Sequence, residues 1–405
     1  MISDLVVVGG GAAGFMGAIT AASNGLQSVV ILESMSKVLE KVRISGGGRC
    51  NLTNSCWEIS NLVNNYPRGE KQLIGLFKRF STTDAFDWFQ SRGLSLKIEN
   101  DGRIFPLSDS SHDVIKCLRG FAAKSGVKVV TDSHVRQIDK TNDGFNVLVK
   151  GSKLFSAKNI FICTGGHPSG RKLAKSLGHS IIEPVPSLFS LSTAQKSLES
   201  CAGISLKVQT KLTICKKKYK ETGSILITHK GFSGPVIFRL SAFGARHLHD
   251  NKNFGQLIIN WLCMSEDEVR SKFDLYKYEN CKKLVLNNKP FYQLPKSLWK
   301  ALLLSENIDS YLKWADLSKY QKQALVRCLV GKSYSINSRG PFGDEFVTAG
   351  GVSLKEINFK TMESNICKGL FFAGEVLDID GVTGGFNFQH CWTSGWIAGK
   401  SVVLT

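Results

Sequence analysis

The sequence predicts an α/β protein of several domains, built on a parallel β-sheet. An apolar run at 5–8 leads through a glycine-rich turn into a helix-like segment, and a second apolar run at 28–32 ends in an acidic residue. Strands that are buried on both faces have this continuous apolar character. The length of 405 residues exceeds what one hydrophobic core fills, and the hydrophobic fraction of 42% argues against a disordered chain.

The formal net charge of +19 is concentrated in one region. Residues 190–343 contain 25 Lys and Arg against 11 Asp and Glu, a net charge of +14 that leaves +5 for the rest of the chain. Such a region is either a surface for a polyanion or a general aid to solubility, and charge alone does not separate the two.

Apolar runs and cysteine usage narrow the class of protein. No apolar run reaches the ~18 residues that span a membrane, and no basic segment precedes the first apolar run. We therefore expect a cytoplasmic protein that does not enter a membrane. The eleven cysteines are dispersed and form no C-x-x-C pair, so neither a disulfide framework nor a metal site is predicted.

The glycine-rich turn has the spacing of a dinucleotide-binding motif. Gly9 permits a tight turn, Gly11 lets the backbone approach a pyrophosphate, and Gly14 lets the helix pack close to the strand. Free N–H groups at the start of the helix favour phosphate. The predicted phosphate contacts are Gly9, Gly11, Ala12, Ala13 and Gly14.

An acidic residue after the second strand completes this motif. Glu33 lies nineteen residues beyond Gly14, where a carboxylate accepts hydrogen bonds from a ribose 2′-hydroxyl and repels a 2′-phosphate. The combination of strand, glycine turn, helix and spaced acid indicates a bound dinucleotide. FAD and the nicotinamide cofactors share the ADP half, so the motif does not separate them.

A second glycine loop and a β-meander favour FAD. The loop at 41–54 carries charged and amide side chains and can bring backbone N–H groups to a second part of an extended cofactor. The meander is followed by an apolar strand at 159–163, as in FAD enzymes of the glutathione-reductase type. The meander strands are expected at 127–131, 134–139, 145–149 and 153–157. The predicted cofactor contacts are Gly47, Gly48, Arg49, Asn51, Val135, Thr164 and Gly165.

Several further segments resemble one protein family. They are Thr-His-Lys-Gly-Phe-Ser-Gly-Pro at 228–235, Val-Thr-Ala-Gly-Gly at 347–351, Gly-Glu-Val-Leu-Asp-Ile-Asp-Gly at 374–381 and Thr-Gly-Gly-Phe-Asn at 383–387. Together with the second glycine loop, they resemble the HI0933-like flavoproteins, also called BaiN-like or aminoacetone oxidase-like. The resemblance runs nearly end to end and is weakest between about 266 and 332.

This resemblance implies a two-part Rossmann FAD-binding domain, interrupted by a β-barrel that carries a small helical domain. The expected boundaries are 1–189 and 344–405 for the FAD-binding domain, 190–264 and 331–343 for the barrel, and 265–330 for the helical domain. Period-two alternation independently predicts strands at 207–215, 224–228 and 256–262. Helical spacing occurs at 266–273 and 318–329.

The C-terminal block is expected to complete the flavin site. A buried strand at 369–375 ends in a turn, and the resemblance places Asp380 at the ribityl or phosphate region of the cofactor. The helix that follows has free N–H groups that would lie beside the flavin ring and stabilise negative charge on its reduced form. The predicted contacts are Gly374, Glu375, Asp380, Gly385, Phe386 and Asn387.

Flavin chemistry requires few particular side chains, because the ring exchanges hydride and the protein positions the substrate. Cys50 and His229 are the candidate acid or base groups. A buried inert thiol and a structural histidine are the alternative interpretations. His390 stands where the resemblance leads us to expect a bulky apolar residue, so no role is assigned to it.

The substrate and the electron donor stay open at this stage. One hypothesis is reduction of an unsaturated base in ribosomal RNA. It is supported by the basic region and by the run Lys-Lys-Lys-Tyr-Lys at 216–220, because phosphate contacts from lysine contribute strongly to RNA affinity. The alternative interpretation of this run is the solvated end of a hairpin. The alternatives are oxidation of a small amine or ketone-like metabolite and a non-catalytic flavin-binding assembly factor. NADH or NADPH is the expected donor, although no second G-x-G-x-x-G motif follows a strand.

Overall fold

The computed structural model describes residues 2–340 and 347–404 and divides into two compact units. Unit 1 comprises Met1–Pro184 and Thr348–Thr405, and unit 2 comprises Val185–Val347. The finer division into three domains, with its boundaries, stays a prediction. The expected boundary between 343 and 344 lies outside the described residues.

The first part of unit 1 alternates strands and helices. Its elements are β1 (Ile2–Val8), α1 (Ala12–Ser23), β2 (Val29–Leu32), α2 (Glu40–Ile44), β3 (Thr53–Asn54), α3 (Ile59–Val63), α4 (Glu70–Phe77), α5 (Thr82–Gln90), β4 (Leu96–Ile98), β5 (Arg103–Pro106), α6 (Ser111–Lys124), β6 (Lys128–Val130), β7 (Val135–Thr141), β8 (Gly144–Val149), β9 (Leu154–Ile162), α7 (Pro168–Ser176) and β10 (Ile181–Ser187).

Unit 2 and the return of the chain to unit 1 follow. Unit 2 contains β11 (Leu191–Thr193), β12 (Ser205–Ile214), β13 (Lys217–Thr228), β14 (Gly231–Ser233), α8 (Pro235–Asp250), β15 (Gly255–Asn260), α9 (Glu266–Glu279), α10 (Lys296–Ser305), α11 (Lys319–Gly331) and β16 (Lys332–Arg339). The returning chain forms β17 (Val347–Val352), β18 (Ile357–Asn358), β19 (Glu363–Ser364), β20 (Leu370–Phe372) and α12 (Phe386–Ser401).

A nine-stranded sheet forms the centre of unit 1. Its order is β18-β19-β20-β9-β1-β2-β6, with β7 and β8 joined to β9. The strands β20, β9, β1, β2 and β6 pair in parallel. Val6 and Val7 of the central strand are fully buried, which explains its uninterrupted apolar sequence. The α/β class and its parallel sheet are confirmed.

The meander is more continuous than the sequence predicts. The runs expected as separate strands at 153–157 and 159–163 form the single strand β9. This strand pairs antiparallel with β8 and parallel with β1, so one length of chain joins the hairpin to the main sheet. The expected break at Lys158 is therefore wrong, because the strand continues through it from one pairing to the other.

The helices α1 and α12 meet backbone to backbone. A Cβ on Gly395 would lie 2.5 Å from the Ala13 carbonyl oxygen, and a Cβ on Gly399 would clash with the Gly17 carbonyl oxygen. Gly395 lies against Ala13, and Gly399, one turn later in α12, lies against Gly17, one turn later in α1. The two helices therefore run parallel. Glycines at these positions allow a separation that any side chain would prevent.

We predict that Gly395→Ala destabilises the protein, because the added methyl would force apart two helices that touch through their backbones. The free energy of unfolding should fall by about 1–3 kcal/mol, the usual cost of overpacking. Chemical denaturation would measure it. Gly75→Ala is the matched control: no atom lies within 4 Å of that position in α4, so stability should stay equal or rise. Equal stabilities of both variants would contradict this account.

Unit 2 contains a closed antiparallel barrel. Its strand order is β11-β14-β13-β12-β15-β16, with β16 returning to β11. The helices α9, α10 and α11 occupy the segment expected to be helical, and a shared core buries Trp261, Trp299 and Trp314. The predicted barrel with a helical piece is confirmed. The sixteen-residue helix α8 at 235–250 lies in a stretch for which the sequence pattern predicts no helix.

Within the described residues, none of the helices combines the length and the apolar character that crossing a bilayer requires. All eleven cysteines are free thiols.

Candidate functional site

The glycine turn after β1 contains two glycines that the local backbone requires. Gly9 has φ +110°, and a Cβ there would lie 2.6 Å from the Cys163 carbonyl oxygen at the end of β9. A Cβ on Gly14 would clash with the Gly9 carbonyl oxygen. These two residues therefore fix the close packing of strand, turn and helix.

Gly11 differs, because no atom lies within 4 Å of the position of its Cβ. It is the N-cap of α1 and leaves open space in front of the helix. Within the described residues, no acceptor faces the N–H groups of Ala12 and Ala13. The start of α1 thus offers unpaired donors to a space that a side chain at this position would fill.

A pocket of about 200 Å³ adjoins this turn. It brings together four predicted contacts, namely Gly9, Glu33, Val135 and Thr164. The Glu33 carboxylate accepts the Gly10 N–H at 2.7 Å and is therefore fixed at the pocket wall. The Thr164 hydroxyl oxygen is buried and has no hydrogen-bond partner in the described part of the chain.

The second glycine loop is tied to the start of α12. The side-chain amide of Asn51 is oriented with its oxygen towards Gly385 and its nitrogen towards Thr53. In this orientation it accepts the Gly385 N–H at 3.0 Å and donates to the Thr53 carbonyl at 3.2 Å. Three more bonds join the same segments: Asn54 to the Gly384 carbonyl (2.9 Å), Thr53 to the Gln389 amide oxygen (2.6 Å) and Trp392 to the Leu52 carbonyl (2.9 Å). Segments about 330 residues apart thus meet at one place.

The loop glycines and the helix start leave backbone groups accessible. Gly47 and Gly48 have positive φ, and no atom lies within 4 Å of the position of a Cβ on either. Within the described chain, the N–H groups of Phe386 and Asn387 face no acceptor. The Asn387 side chain is engaged instead, since it accepts the Gly381 N–H and donates to the Gly381 carbonyl, both at 2.8 Å.

Glu375 and Gly374 lie just beyond the end of β20, beside the glycine turns. The Glu375 carboxylate pairs with Lys41 at 2.7 Å, and the negative charge raises the pKa of Lys41. A Cβ on Gly165 would lie 3.5 Å from this carboxylate. The Gly374 N–H donates to the Ser394 hydroxyl at 2.9 Å, which ties the strand to α12. The sequence pattern contains no signal for Lys41 or Ser394.

Two predicted contacts have charged partners within the protein. Asp380 is completely buried and forms a bidentate ion pair with Arg68. Arg49 pairs with Glu99 at 2.7 Å and lies over the ring of Phe105. Their charged groups hold the loops in place, and cofactor contact by either stays a prediction.

The two candidate acid or base residues lie in different surroundings. Cys50 is fully buried, and this burial raises the pKa of its thiol to about 12. The geometry therefore favours the inert thiol, since a reactive cysteine needs an accessible thiolate. His229 lies in the turn between β13 and β14 of unit 2 and is exposed to solvent.

A serine–histidine–glutamate series elsewhere in unit 1 is structural. His179 contacts Ser364 through Nε2 at 3.0 Å and Glu356 through Nδ1 at 3.1 Å. The serine hydroxyl also accepts the N–H groups of Ile366 and Cys367 at 3.0 and 2.8 Å. Because the oxygen is buried and its lone pairs are used, it is not placed to attack a substrate.

His390 is buried to 1% exposure on α12. In the described structure, neither ring nitrogen makes a hydrogen bond of normal geometry. Burial lowers the pKa of this histidine to about 4. The imidazole is therefore neutral at pH 7 and occupies a position where an apolar side chain would cost nothing in hydrogen bonding.

We predict that His390 weakens the protein in acid. Its folded pKa lies below the ordinary value of ~6.5, so its contribution is intact above that pH and is lost as the pH falls towards 4, by up to about 3 kcal/mol. His390→Leu should show a smaller loss of unfolding free energy between pH 7 and 4. Denaturant titrations at several pH values would measure this. His229→Leu, at an exposed site, should keep the wild-type slope; identical slopes for all three proteins would refute the assignment.

A family comparison identifies this arrangement. The model described as "HI0933-like protein Rossmann domain" matches residues 3–401. The chain belongs to the HI0933-like family. The family is one of FAD-dependent oxidoreductases, so the predicted enzyme class and the predicted resemblance are confirmed.

Curated relatives cover the chain almost completely. The chain is 29% identical over 409 residues to a 3-dehydro-bile acid Δ4,6-reductase of Clostridium scindens, covering 98% of each protein. It is 28% identical over 415 residues to a ribosomal RNA dihydrouridine synthase of Haemophilus influenzae, covering 99% of this chain and 98% of the relative.

Solved structures support the fold of this family member. A flavocytochrome c3 fumarate reductase matches with a TM-score of 0.53 at 18% identity, over 100% of this chain and 78% of that one. A 3-ketosteroid-Δ4-(5α)-dehydrogenase of Rhodococcus jostii RHA1 matches with a TM-score of 0.52 at 15% identity, over 99% and 96%. At these identities the likeness concerns the fold alone.

Proposed function

We propose that unit 1 holds FAD along the starts of α1 and α12. The ADP half would occupy the pocket beside Glu33 and Val135, and its pyrophosphate would accept N–H groups in front of Gly11. Three observations fit this group: the open space at Gly11, the unpaired donors of the first turn of α1, and the buried Thr164 hydroxyl without a partner among the described residues. A dinucleotide would satisfy all three at once.

Bound FAD supplies hydride exchange at its ring, and the chain supplies position and charge. The N–H groups of Phe386 and Asn387 point from the positive end of α12 and would stabilise negative charge on the ring. The bonds from Asn51 and Asn54 to the residues before α12 hold these donors in place. No side-chain acid or base in unit 1 is required for this role.

We predict that Gly11→Val yields a folded but colourless protein. A Cβ at this position has no protein atom within 4 Å and the φ of −92° suits any residue, so stability should be retained, while the branched chain enters the proposed pyrophosphate space. Flavin absorbance per mole and far-UV circular dichroism would measure the two effects. Glu33→Ala should only weaken FAD binding, by about 1–3 kcal/mol. A fully yellow Gly11→Val protein would show that the phosphates lie elsewhere.

The reaction we propose is reduction of a carbon–carbon double bond next to a carbonyl, in a base of ribosomal RNA, with NADH or NADPH as donor. One curated relative is named a Δ4,6-reductase and the other a ribosomal RNA dihydrouridine synthase, and both names fit the reduction of a carbon–carbon double bond. The RNA substrate is supported by one observation on the barrel: Lys211 of β12 stands directly opposite Lys220 of β13. Like charges at opposed positions destabilise a sheet, so their presence favours an external polyanion.

The outer face of this hairpin carries further lysines. Lys207 and Lys218 are exposed at outward positions of the same strands, Lys216 lies in the turn, and Lys217 is the first residue of β13. Glu221, the one acid of β13, stands opposite the buried Thr210, on the other face of the hairpin from Lys207 and Lys218, and pairs with Arg239 at 3.1 Å. The surface therefore keeps an excess of positive charge that phosphate groups could neutralise.

A small organic substrate is the second candidate, favoured by the relative from Clostridium scindens, whose name describes a small-molecule reductase. The deciding experiment is anaerobic reduction with NADH or NADPH, followed by ribosomal RNA that lacks the modified base. Rapid reoxidation of the flavin by RNA supports our proposal. Reoxidation only by an enone-containing small molecule supports the second candidate. Reoxidation only by oxygen in the presence of an amine indicates an oxidase. If no acceptor reoxidises the flavin, the protein is a non-catalytic flavoprotein.

We predict that Lys220→Gln raises stability but lowers RNA affinity. Removing one of two opposed charges should stabilise the hairpin by about 0.2–1 kcal/mol, while the loss of a phosphate contact should make the logarithmic salt dependence of RNA binding shallower by about 0.7–0.9. Thermal melts and binding titrations at several salt concentrations measure both. Lys296→Gln on α10 removes the same charge from a helix outside the hairpin. If the two variants behave alike, the hairpin is not an RNA surface.

A further inference from the structure

A separate groove lies along one face of α6 in unit 1. Its volume is about 730 Å³, within the range of small-molecule sites. The helix contributes Asp113, Lys116, Cys117, Gly120, Phe121 and Lys124, which recur at helical spacing, and the segments at 92–95 and 107–108 complete the lining. We call this feature the α6 groove. It shares no residue with the predicted cofactor contacts.

The floor of the α6 groove is apolar and open. Leu107 is 61% exposed, although it is a large hydrophobic residue. No atom lies within 4 Å of the position of a Cβ on Gly120. An apolar body could therefore lie directly against the helix backbone and cover the leucine, with the gain that burial of apolar surface brings.

Arg92 is held at the wall of this groove with unused donors. Its guanidinium carbon lies 4.0 Å from the ring centroid of Trp88 and 5.2 Å from that of Phe121. One nitrogen, Nη1, donates to the Trp88 carbonyl at 3.1 Å. Nε is buried and has no acceptor among the described residues. Burial lowers the pKa of Arg92, and this guanidinium forms no ion pair with the described residues.

The charge of the α6 groove is positive. Lys116 and Lys124 are exposed on its rim and form no ion pair within the described chain. Asp113 is the one acid among the lining residues, and its carboxylate already accepts the Ser108 hydroxyl at 2.6 Å. Three cations thus surround an apolar floor with one acid among them.

We propose that the α6 groove binds an amphipathic organic carboxylate, with the carboxylate held by Arg92 and the apolar body lying over Gly120 and Leu107. A carboxylate is planar and meets a guanidinium edge within one plane. A phosphate would direct its remaining oxygens out of that plane, towards the aromatic rings. The apolar floor disfavours a nucleic acid strand, whose backbone stays solvated.

The test uses the flavin-loaded full chain and isothermal titration calorimetry with dodecanoate below its micelle concentration. Dodecyl phosphate, dodecyltrimethylammonium and dodecanol are the matched ligands with a different head group. The variants are Gly120→Leu, which fills the floor with a residue of higher helix propensity, and Arg92→Gln, which removes the cation. Lys116→Gln provides a third, peripheral change, and Gly75→Ala is the control.

We expect the wild-type protein to bind one dodecanoate saturably. The affinity for dodecanoate should be at least tenfold weaker in Gly120→Leu and in Arg92→Gln. It should be about two- to threefold weaker in Lys116→Gln and unchanged in Gly75→Ala. Flavin absorbance should be the same in all of them, so this outcome is independent of the cofactor placement. The proposal is overturned by the absence of saturable dodecanoate binding, by unchanged affinity in the variants, or by equal or tighter binding of any of the three comparison ligands.

Discussion

The approach of two helix backbones is the constraint on which unit 1 depends. α1 follows the first strand and α12 is the last α-helix of the described chain, yet Gly17, Gly395 and Gly399 let them touch without intervening side chains. A shift of one helix along the other would bring side chains against these carbonyl oxygens, because the oxygens occupy the space that only a glycine leaves free. The first and the last α-helix of the described chain are thereby joined into one support beside the parallel sheet.

Polar side chains around this support mostly hold the backbone rather than face the site. Asn51 and Asn54 bind the residues that precede α12, Asn387 binds both polar groups of Gly381, and Asp380 is paired with Arg68. What they leave available is main-chain N–H groups. Recognition by main-chain groups depends on geometry more than on side-chain identity, which is consistent with family relatives that are less than 30% identical to this chain.

The sequence could predict the glycine turn and the parallel sheet because their causes are local: burial on both faces and backbone proximity at Gly9 and Gly14. It could not predict the partners of Asn387 or Asp380, since an amide or carboxylate beside a glycine loop looks the same whether it faces a ligand or another loop. The helix α8 was missed because its start depends on Gly234 and Pro235, which the pattern equally allows in a turn. Arg49 illustrates the same point as Asp380, since its guanidinium pairs with Glu99 within the protein.

The parallel packing of the two helices also sets an offset between their starts. Ala13 lies opposite Gly395; α1 begins one residue before this contact, whereas α12 begins nine residues before it, at Phe386. At 1.5 Å per residue, the difference displaces one positive helix end from the other by about 12 Å. The fold therefore presents two electropositive helix ends that are offset along the direction of the helices, so a small anion held at one end would not reach the other.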